Sequence, residues 1–484
     1  MTRRAVAPVL GTALAGLTIL PRHVLGGPGY VAPSDKLNIA GVGVGAMGGN
    51  YLQNCESENI VALADVDHMF AAKTLARYPK AATYHDYRIM LEKEKSIDAV
   101  IIGTPDHTHA VVAMAAIGLG KHIYCAKPMT RTIYECRTVT RAAREAKVAT
   151  QMSTQSCASE NACAAEEIIQ SGALGPVREV HVWTDRPVWP QGLMRPAETP
   201  PVPANLKWDL WLGPAPERPY HPLYHPFNWR GWYDFGTGAL GDMALHTFHL
   251  IFRALKLTYP TNIASSQTLV ALPAEPGQGD ADWNLINRVK YQETFPHSSM
   301  VTWDFPARGG LPPVRLHWYD GGLKPPPPVD LDPTVRMPPE GSYYVGERGV
   351  LMITGAGGGT ESGRGTRSAS VEGADGSRGA DDRAVAASPQ TLIPTARFKD
   401  FTSPPKTVPR TIGHYQEWIA AAKGGPPANC NFEFARLIAE TALLGVISQR
   451  TGKRLVWDAP GMRFLNDAEP NQYVNLRYRD GWSL

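Results

Sequence analysis

The fold of this chain is decided by the stretch Leu37-Asn38-Ile39-Ala40-Gly41-Val42-Gly43-Val44-Gly45-Ala46-Met47-Gly48. It indicates a buried strand of small and β-branched residues that runs into a glycine turn and then into a helix. The spacing G-x-G-x-x-G permits a tight turn, a close approach of backbone to a pyrophosphate, and packing of the helix on the strand. The N–H groups that begin the helix would face the anion. The stretch therefore predicts a dinucleotide site formed by Gly43, Gly45, Ala46, Met47 and Gly48.

A second apolar strand, residues 59–64, supports this interpretation because it ends in Asp65, about 20 residues beyond the glycine turn. A carboxylate at this place accepts hydrogen bonds from ribose hydroxyls and repels a 2′-phosphate. Asp65 therefore favours NAD over NADP as the cofactor. The alternative is that Asp65 is an ordinary turn residue at the end of a strand.

Composition limits the classes of protein that the chain can represent. Its 484 residues are enough for two or three domains, and a formal net charge of +3 without long basic runs gives no indication of a nucleic-acid partner. The six cysteines have no C-x-x-C spacing, which argues against a disulfide framework or a structural zinc site and favours free thiols.

The first 29 residues resemble an export signal rather than part of a folded domain. Arg3 and Arg4 precede a small-residue apolar run, residues 5–20, that is short for a membrane span. We therefore expect a periplasmic protein that is exported folded by a twin-arginine-type signal, or a cytoplasmic one if the signal does not function. Residues 355–387 are rich in Gly, Ser, Arg and Asp, and we expect a disordered surface insertion there.

Residues 34–155 alternate apolar strands with helical stretches, which indicates βαβ units on a parallel sheet. One buried strand, residues 98–103, ends in Thr104-Pro105-Asp106-His107-Thr108-His109, at the edge where open α/β sheets bind ligands. The next, residues 121–125, is followed by Ala126-Lys127-Pro128. Lys127 is therefore placed to act on a substrate beside the cofactor, although a solvated loop lysine is an equally good interpretation of its position alone.

Farther along the chain, Asp242 and His246 lie four residues apart in a predicted helix, on one face. A carboxylate one turn from an imidazole can orient it and stabilise its charged form, as a general base requires. In the alternative interpretation, Asp242 caps the helix and His246 is a packing residue. No cluster of ligands around His246 and His249 supports a metal, and we expect none.

Long loops dense in aromatic residues and arginine lie between residues 185 and 232. Such loops suit a sugar, whose faces stack on rings and whose hydroxyls need hydrogen bonds. Most of these aromatic residues are expected to be packing residues. We predict that Arg186, Trp229 and Arg230 lie near the substrate.

Taken together, the glycine turn, Thr104-Pro105 with His109, and the strand ending in Lys127-Pro128 resemble the glucose–fructose oxidoreductase/inositol dehydrogenase (Gfo/Idh/MocA) family. The resemblance implies an α/β protein: an N-terminal Rossmann domain, and a C-terminal α/β domain, residues 156–484, with an open, largely antiparallel sheet. It implies that Lys127 is catalytic, that Asp242 and His246 form the second catalytic signature, and that Thr104, Pro105 and His109 adjoin the cofactor. Ala126 departs from the family, which usually has Glu there.

The resemblance also implies an NAD(P)-dependent oxidoreductase acting on a secondary alcohol of a sugar or glycoside, and a homo-oligomer. Lys127 would stabilise the developing alkoxide, and His246, oriented by Asp242, would accept the proton. Two alternatives remain open. One is glycoside cleavage through transient oxidation by a retained NAD, with Tyr224, His225 or His249 as an additional acid/base; the other is a non-catalytic binding protein on a Rossmann scaffold.

Overall fold

The computed structural model describes residues 35–273, 286–289, 293–355 and 390–484. The predicted export signal, residues 1–29, lies outside the described residues, as does nearly all of the predicted insertion at 355–387. Those two expectations stay predictions.

The first half of the chain forms a six-stranded parallel sheet in the order β3-β2-β1-β4-β5-β6. Its strands are β1 (Asn38–Val42), β2 (Asn59–Ala64), β3 (Ala82–Tyr84), β4 (Ala99–Ile102), β5 (His122–Cys125) and β6 (Thr150–Met152). Its helices are α1 (Met47–Gln53), α2 (Ala72–Arg77), α3 (Tyr87–Lys93), α4 (His109–Gly118) and α5 (Ile133–Ala146). Successive strands are added on one side of β1 up to β3 and on its other side from β4 onward, and the carboxyl ends of β1 and β4 therefore flank a crevice at one edge of the sheet.

The second half is built on a nine-stranded mixed sheet in the order β15-β14-β13-β7-β12-β11-β8-β16-β17. The strands after β6 are β7 (Val177–Trp183), β8 (Asn262–Gln267), β9 (Val270–Pro273), β10 (Ile286–Val289), β11 (Ser299–Phe305), β12 (Val314–Tyr319), β13 (Gly341–Gly346), β14 (Gly349–Thr354), β15 (Gln390–Ile393), β16 (Leu455–Asp458) and β17 (Arg463–Phe464). Among the described strands of this sheet only β7 and β12 pair in parallel, and β9 and β10 form a separate antiparallel ribbon.

The remaining helices are α6 (Glu160–Gln170), α7 (Trp208–Leu212), α8 (Gly238–Leu255), α9 (His414–Ala422) and α10 (Phe432–Thr451). Short 3₁₀ turns occupy Asp106–Thr108, Gln155–Ala158, Asn228–Gly231 and Glu469–Tyr473. Helix α10 begins where the Asn431 side chain accepts N–H bonds and ends at Gly452, which has a left-handed backbone. Its apolar residues join α8 and the nine-stranded sheet in one core.

The two sheets confirm the predicted fold class, a Rossmann domain followed by a largely antiparallel α/β domain. The cysteines at positions 55, 125, 136, 157, 163 and 430 are all free and buried, as predicted. In the described ranges, no helix combines the length and the apolar character needed to cross a bilayer.

Candidate active site

The centre of the candidate site is an ion pair between Lys127, just beyond β5, and Asp242, on the first turns of α8. The Lys127 Nζ donates a hydrogen bond to Asp242 Oδ1. The Lys127 backbone N–H donates to Ser153 Oγ at 3.0 Å, which fixes the loop that carries the lysine. The two side chains are only 15% and 9% exposed. An ammonium group is thus held at the ligand-binding edge of the parallel sheet by a carboxylate from the second domain.

Arg230 adds a second cation to this centre. Its Nε lies 3.3 Å from Asp242 Oδ1, and its Nη1 donates to Asp106 Oδ1 at 3.2 Å. Asp106 also accepts a hydrogen bond from Thr237 Oγ1 at 2.7 Å, and the Trp229 ring lies 4.2 Å from the guanidinium. Trp229 and Arg230, two predicted substrate residues, are therefore beside the ion pair. No role was assigned to Asp106 from the sequence, although its position in the loop that follows β4 could have identified it as a site residue.

The surroundings of Lys127 and Asp242 lower the pKa of both residues. Burial lowers the pKa of Lys127, an effect that the charge of Asp242 opposes. Burial acts to raise the pKa of Asp242, but Arg230 and Lys127 together hold it well below its usual range. Asp242 is therefore ionised at every pH at which the protein is expected to work.

His246 lies one helical turn beyond Asp242 and is mostly enclosed. Burial, followed by the nearby charge of Lys127, lowers the pKa of His246 to about 3. The imidazole is consequently neutral at pH 7 and can accept a proton. Among the described contacts, however, the hydrogen bond of Asp242 goes to Lys127 and not to His246. The expected orientation of His246 by Asp242 is therefore not what the structure shows, because two cations compete for the carboxylate.

The glycine turn forms a tight cradle beside this centre. Gly43 has φ +73°, and a Cβ on Gly48 would lie 2.0 Å from the carbonyl oxygen of Gly43. Ala46 and Met47 are exposed where α1 begins. Thr104 closes the other side, and its buried Oγ1 has no hydrogen-bond partner among the described residues. A cradle without room for side chains, with an unsatisfied hydroxyl next to it, fits a bound dinucleotide.

Asp65, the predicted ribose ligand, holds the glycine turn in this structure. Its Oδ2 accepts the N–H groups of Val44 at 2.7 Å and Gly45 at 3.1 Å, and its Oδ1 accepts the N–H of Asp67 at 2.9 Å. Burial raises the pKa of Asp65. Its contact with ribose stays a prediction, since both carboxylate oxygens already have partners.

A segment of the second domain reaches across to the same edge. Asp67 accepts hydrogen bonds from His225 Nε2 at 2.9 Å and from Asn205 Nδ2 at 2.7 Å. The Phe70 ring lies against Gly45, where a Cβ would be 2.2 Å from its Cδ1. Asp67 and Asn205 were not identified in the sequence, because only the folded chain brings position 205 to position 67.

The structure separates the three additional acid/base candidates from the ion pair. His225 is bound to Asp67, near the glycine turn. Tyr224 is 2% exposed and packs edge-on against Trp232, and His249 is buried against Phe434. Tertiary packing thus gives each of these three residues contacts other than the ion pair.

Pro105, His109 and Arg186 complete the set of predicted site residues. His109 faces the carbonyl oxygens of Thr104 at 2.8 Å and Pro128 at 2.7 Å, and so ties the loop after β4 to the loop after β5. Pro105 directly precedes the 3₁₀ turn Asp106–Thr108 in the first of these loops. The positive charge of Arg186 contributes to the low pKa of His246, which indicates that the arginine is close to it.

Comparison with known proteins supports the same assignment. Residues 37–154 match the family model described as oxidoreductase family, NAD-binding Rossmann fold, and residues 166–261 match the C-terminal alpha/beta domain of that family. Both matches are to models of the Gfo/Idh/MocA oxidoreductase family, and the prediction of an NAD-binding Rossmann domain is confirmed.

Among curated relatives, the chain is 27% identical over 150 residues to inositol 2-dehydrogenase of Serratia proteamaculans (strain 568), covering 30% of this chain and 44% of that protein. It is 24% identical to levoglucosan dehydrogenase of Pseudarthrobacter phenanthrenivorans (strain DSM 18606 / JCM 16027 / LMG 23796 / Sphe3), covering 45% and 48%. The chain thus matches less than half the length of each of these relatives.

Among solved structures, the WlbA dehydrogenase from Bordetella pertussis, in complex with NADH and UDP-GlcNAcA, has a TM-score of 0.54 and 15% identity, covering 87% of this chain and 99% of that one. This likeness shows the fold. The relatives named above are dehydrogenases, and they do not favour glycoside cleavage or a non-catalytic role.

Proposed function

We propose that this chain is an NAD-dependent oxidoreductase that oxidises or reduces a secondary alcohol of a sugar, glycoside or cyclitol. The observation that carries the proposal is the enclosed Lys127–Asp242 ion pair, placed at the edge of the parallel sheet that also carries the glycine cradle. The named relatives, which act on inositol and levoglucosan by their names, indicate the class of substrate.

The cradle of Gly43, Gly45 and Gly48, with Thr104 and Asp65, would hold the cofactor. NAD, when bound, supplies a nicotinamide carbon that exchanges a hydride with the carbinol carbon of the substrate. NAD is proposed rather than NADP because a carboxylate at position 65 would repel a 2′-phosphate.

Lys127 would stabilise the negative charge that develops on the substrate oxygen as the alcohol is oxidised. Burial makes this interaction strong, because few water molecules compete with the ammonium group. Asp242 holds the lysine Nζ in place, and Arg230 offsets the charge of Asp242 and Asp106. The residues of this centre therefore position one ammonium without leaving a carboxylate unpaired.

His246 would accept the proton of the hydroxyl. A low pKa keeps its imidazole unprotonated at neutral pH, so a ring nitrogen is free to receive the proton. In the reverse direction, the protonated imidazole would return the proton to the alkoxide.

The test is the initial rate of NAD reduction with a panel of cyclitols, anhydrosugars and glycosides. We expect at least one member to be oxidised, and His246→Gln to lower kcat/KM by about 10²-fold or more. His249→Gln is the matched control, since His249 lies on the same helix away from the ion pair, and its rate should stay close to that of the wild type. Equal losses in the two variants would contradict the assignment of His246.

We also propose that the protein is exported to the periplasm and forms a homo-oligomer. Arg3, Arg4 and the apolar run that follows support export. The outward face of the nine-stranded sheet supports assembly, because Met300 on β11 and Arg315 on β12 are exposed there. Cell fractionation of the wild type and of the variant carrying both Arg3→Lys and Arg4→Lys tests the first proposal. Light scattering tests the second, against the 52.7 kDa of a single chain.

A further inference from the structure

The outward face of the second sheet carries a cluster of metal-ligating side chains that the proposed reaction does not use. Glu179 and His181 lie two residues apart on β7 and therefore point to the same face. The parallel register of β7 and β12 places His317 directly opposite His181. One ligand atom of each of the three side chains lies within 4.8 Å of the others.

The three groups converge on one point. Glu179 Oε1 lies 2.8 Å from His181 Nε2 and 3.1 Å from His317 Nε2. The two imidazole rings are stacked, with centroids 4.6 Å apart and planes at 14°. The buried Nε2 of His317 nevertheless has no hydrogen bond of acceptable geometry among the described residues. This nitrogen lies close to the Glu179 carboxylate, but the geometry does not form a hydrogen bond between them.

The far side of each ring is fixed by a hydroxyl group. His181 Nδ1 lies 3.1 Å from Tyr319 Oη, and His317 Nδ1 lies 3.0 Å from Thr302 Oγ1. When Nδ1 carries the proton and donates to the hydroxyl oxygen, Nε2 presents its lone pair to the cluster. Metal-bound histidines are oriented by such partners.

We propose that Glu179, His181 and His317 bind Zn²⁺. Two imidazole nitrogens and one carboxylate oxygen are an established zinc ligand set, with bonds of about 2.0–2.2 Å. The separations in this cluster need only a small adjustment to reach such bonds. Glu179, whose side chain is 43% exposed, has the freedom to make it.

The sequence offered no signal for this site, because its two histidines are 136 positions apart (317 − 181) and only the strand register joins them. The sequence predicted no metal anywhere in the protein, and the proposed zinc site departs from that prediction. The proposed zinc site stands independently of the proposed reaction, since its residues make no contact with Lys127, Asp242 or His246 in the described structure.

The experiment is calorimetric titration of the chelator-treated full chain with Zn²⁺. We expect saturable binding of one equivalent to this cluster, and an affinity at least about 100-fold lower in Glu179→Gln and in His317→Gln. The gentler variants Thr302→Val and Tyr319→Phe should weaken binding by about 10-fold or more, because they release the far side of each ring.

His297→Gln is the matched control, because His297 is an exposed histidine of the same domain outside the cluster. Circular dichroism of each metal-free variant, matching that of the wild type, separates loss of a ligand from loss of the fold. Absence of saturable Zn²⁺ binding in the wild type would overturn the proposal. So would binding that Glu179→Gln and His317→Gln leave intact, or that His297→Gln weakens equally.

Discussion

Two clusters in this protein place one carboxylate between two nitrogen-bearing side chains, with opposite consequences. Asp242 lies between Lys127 and Arg230, which are both cationic at neutral pH. Glu179 lies between two imidazoles. In the first cluster the nitrogens have no lone pair to offer and serve to place positive charge. In the second they can offer lone pairs, and the cluster suits a metal ion.

The carboxylates of the two clusters also differ in how far they are buried. Asp242 is only 9% exposed, whereas Glu179 is 43% exposed. Charges in a poorly solvated site interact strongly, and removal of one partner leaves an uncompensated charge. Substitutions at the Asp242 cluster should therefore have large effects on both activity and stability, and those at an exposed pair small ones.

The largest effect is expected from Lys127→Ala. It removes the ammonium group that would stabilise the alkoxide, and kcat/KM should fall by about 10³-fold. Lys423→Ala is the matched control, since Lys423 pairs with the buried Glu58 at a distance from the site, and should stay near the wild-type rate. Steady-state kinetics of NAD reduction measure both. Full turnover by Lys127→Ala would contradict the role of the Asp242 cluster in placing a positive charge beside the substrate.

A smaller effect is expected in stability from Arg230→Gln. With this cation gone, Asp106 loses its ion pair and Asp242 keeps only Lys127, so the free energy of unfolding should fall by about 3–5 kcal/mol.

The comparison variant is Arg315→Gln, which breaks an ion pair between Asp304 and an arginine that is 59% exposed. It should cost about 0–1 kcal/mol. Urea unfolding of both variants measures the difference, and equal losses would show that burial does not govern the central cluster.

The smallest effect concerns pH. A base must be unprotonated to act, and the pKa of His246 is lowered to about 3 by burial. Acidification from pH 7.5 to pH 5.5 should therefore change kcat/KM by less than about twofold, whereas an ordinary imidazole with pKa near 6.5 would lose about tenfold. The lowered pKa of Lys127 predicts an alkaline limb below 10.5. An acid limb near pH 6.5 would contradict the role of an enclosed His246.

Local sequence patterns were sufficient for much of the fold. The glycine turn after β1 and the strand that ends in Asp65 depend on steric rules acting over a few residues, and both are present in the structure. Helix α6 (Glu160–Gln170) and strand β7 (Val177–Trp183) are likewise built from short local segments of sequence. These elements follow from helical or alternating periodicity.

Contacts between distant segments could not be predicted in the same way. The resemblance identified Lys127 and Asp242 separately, but their ion pair joins residues 115 positions apart. Arg230 and Asp106 are separated by 124 positions, and their contact depends on how the second domain meets the first. The predicted contact of Asp65 with ribose stays a prediction, whereas its bonds to the N–H groups of Val44, Gly45 and Asp67 are visible only in the folded chain.

The most direct test of the central claim follows the hydride itself. The full chain is incubated with NAD and a panel of cyclitols and sugars deuterated at their carbinol carbons, and mass spectrometry is applied to the nucleotide. The account predicts that at least one member transfers deuterium to the nicotinamide ring, and that Lys127→Ala greatly slows this transfer. A nucleotide that stays unlabelled with every member, or labelling that is equally fast in Lys127→Ala, would contradict it.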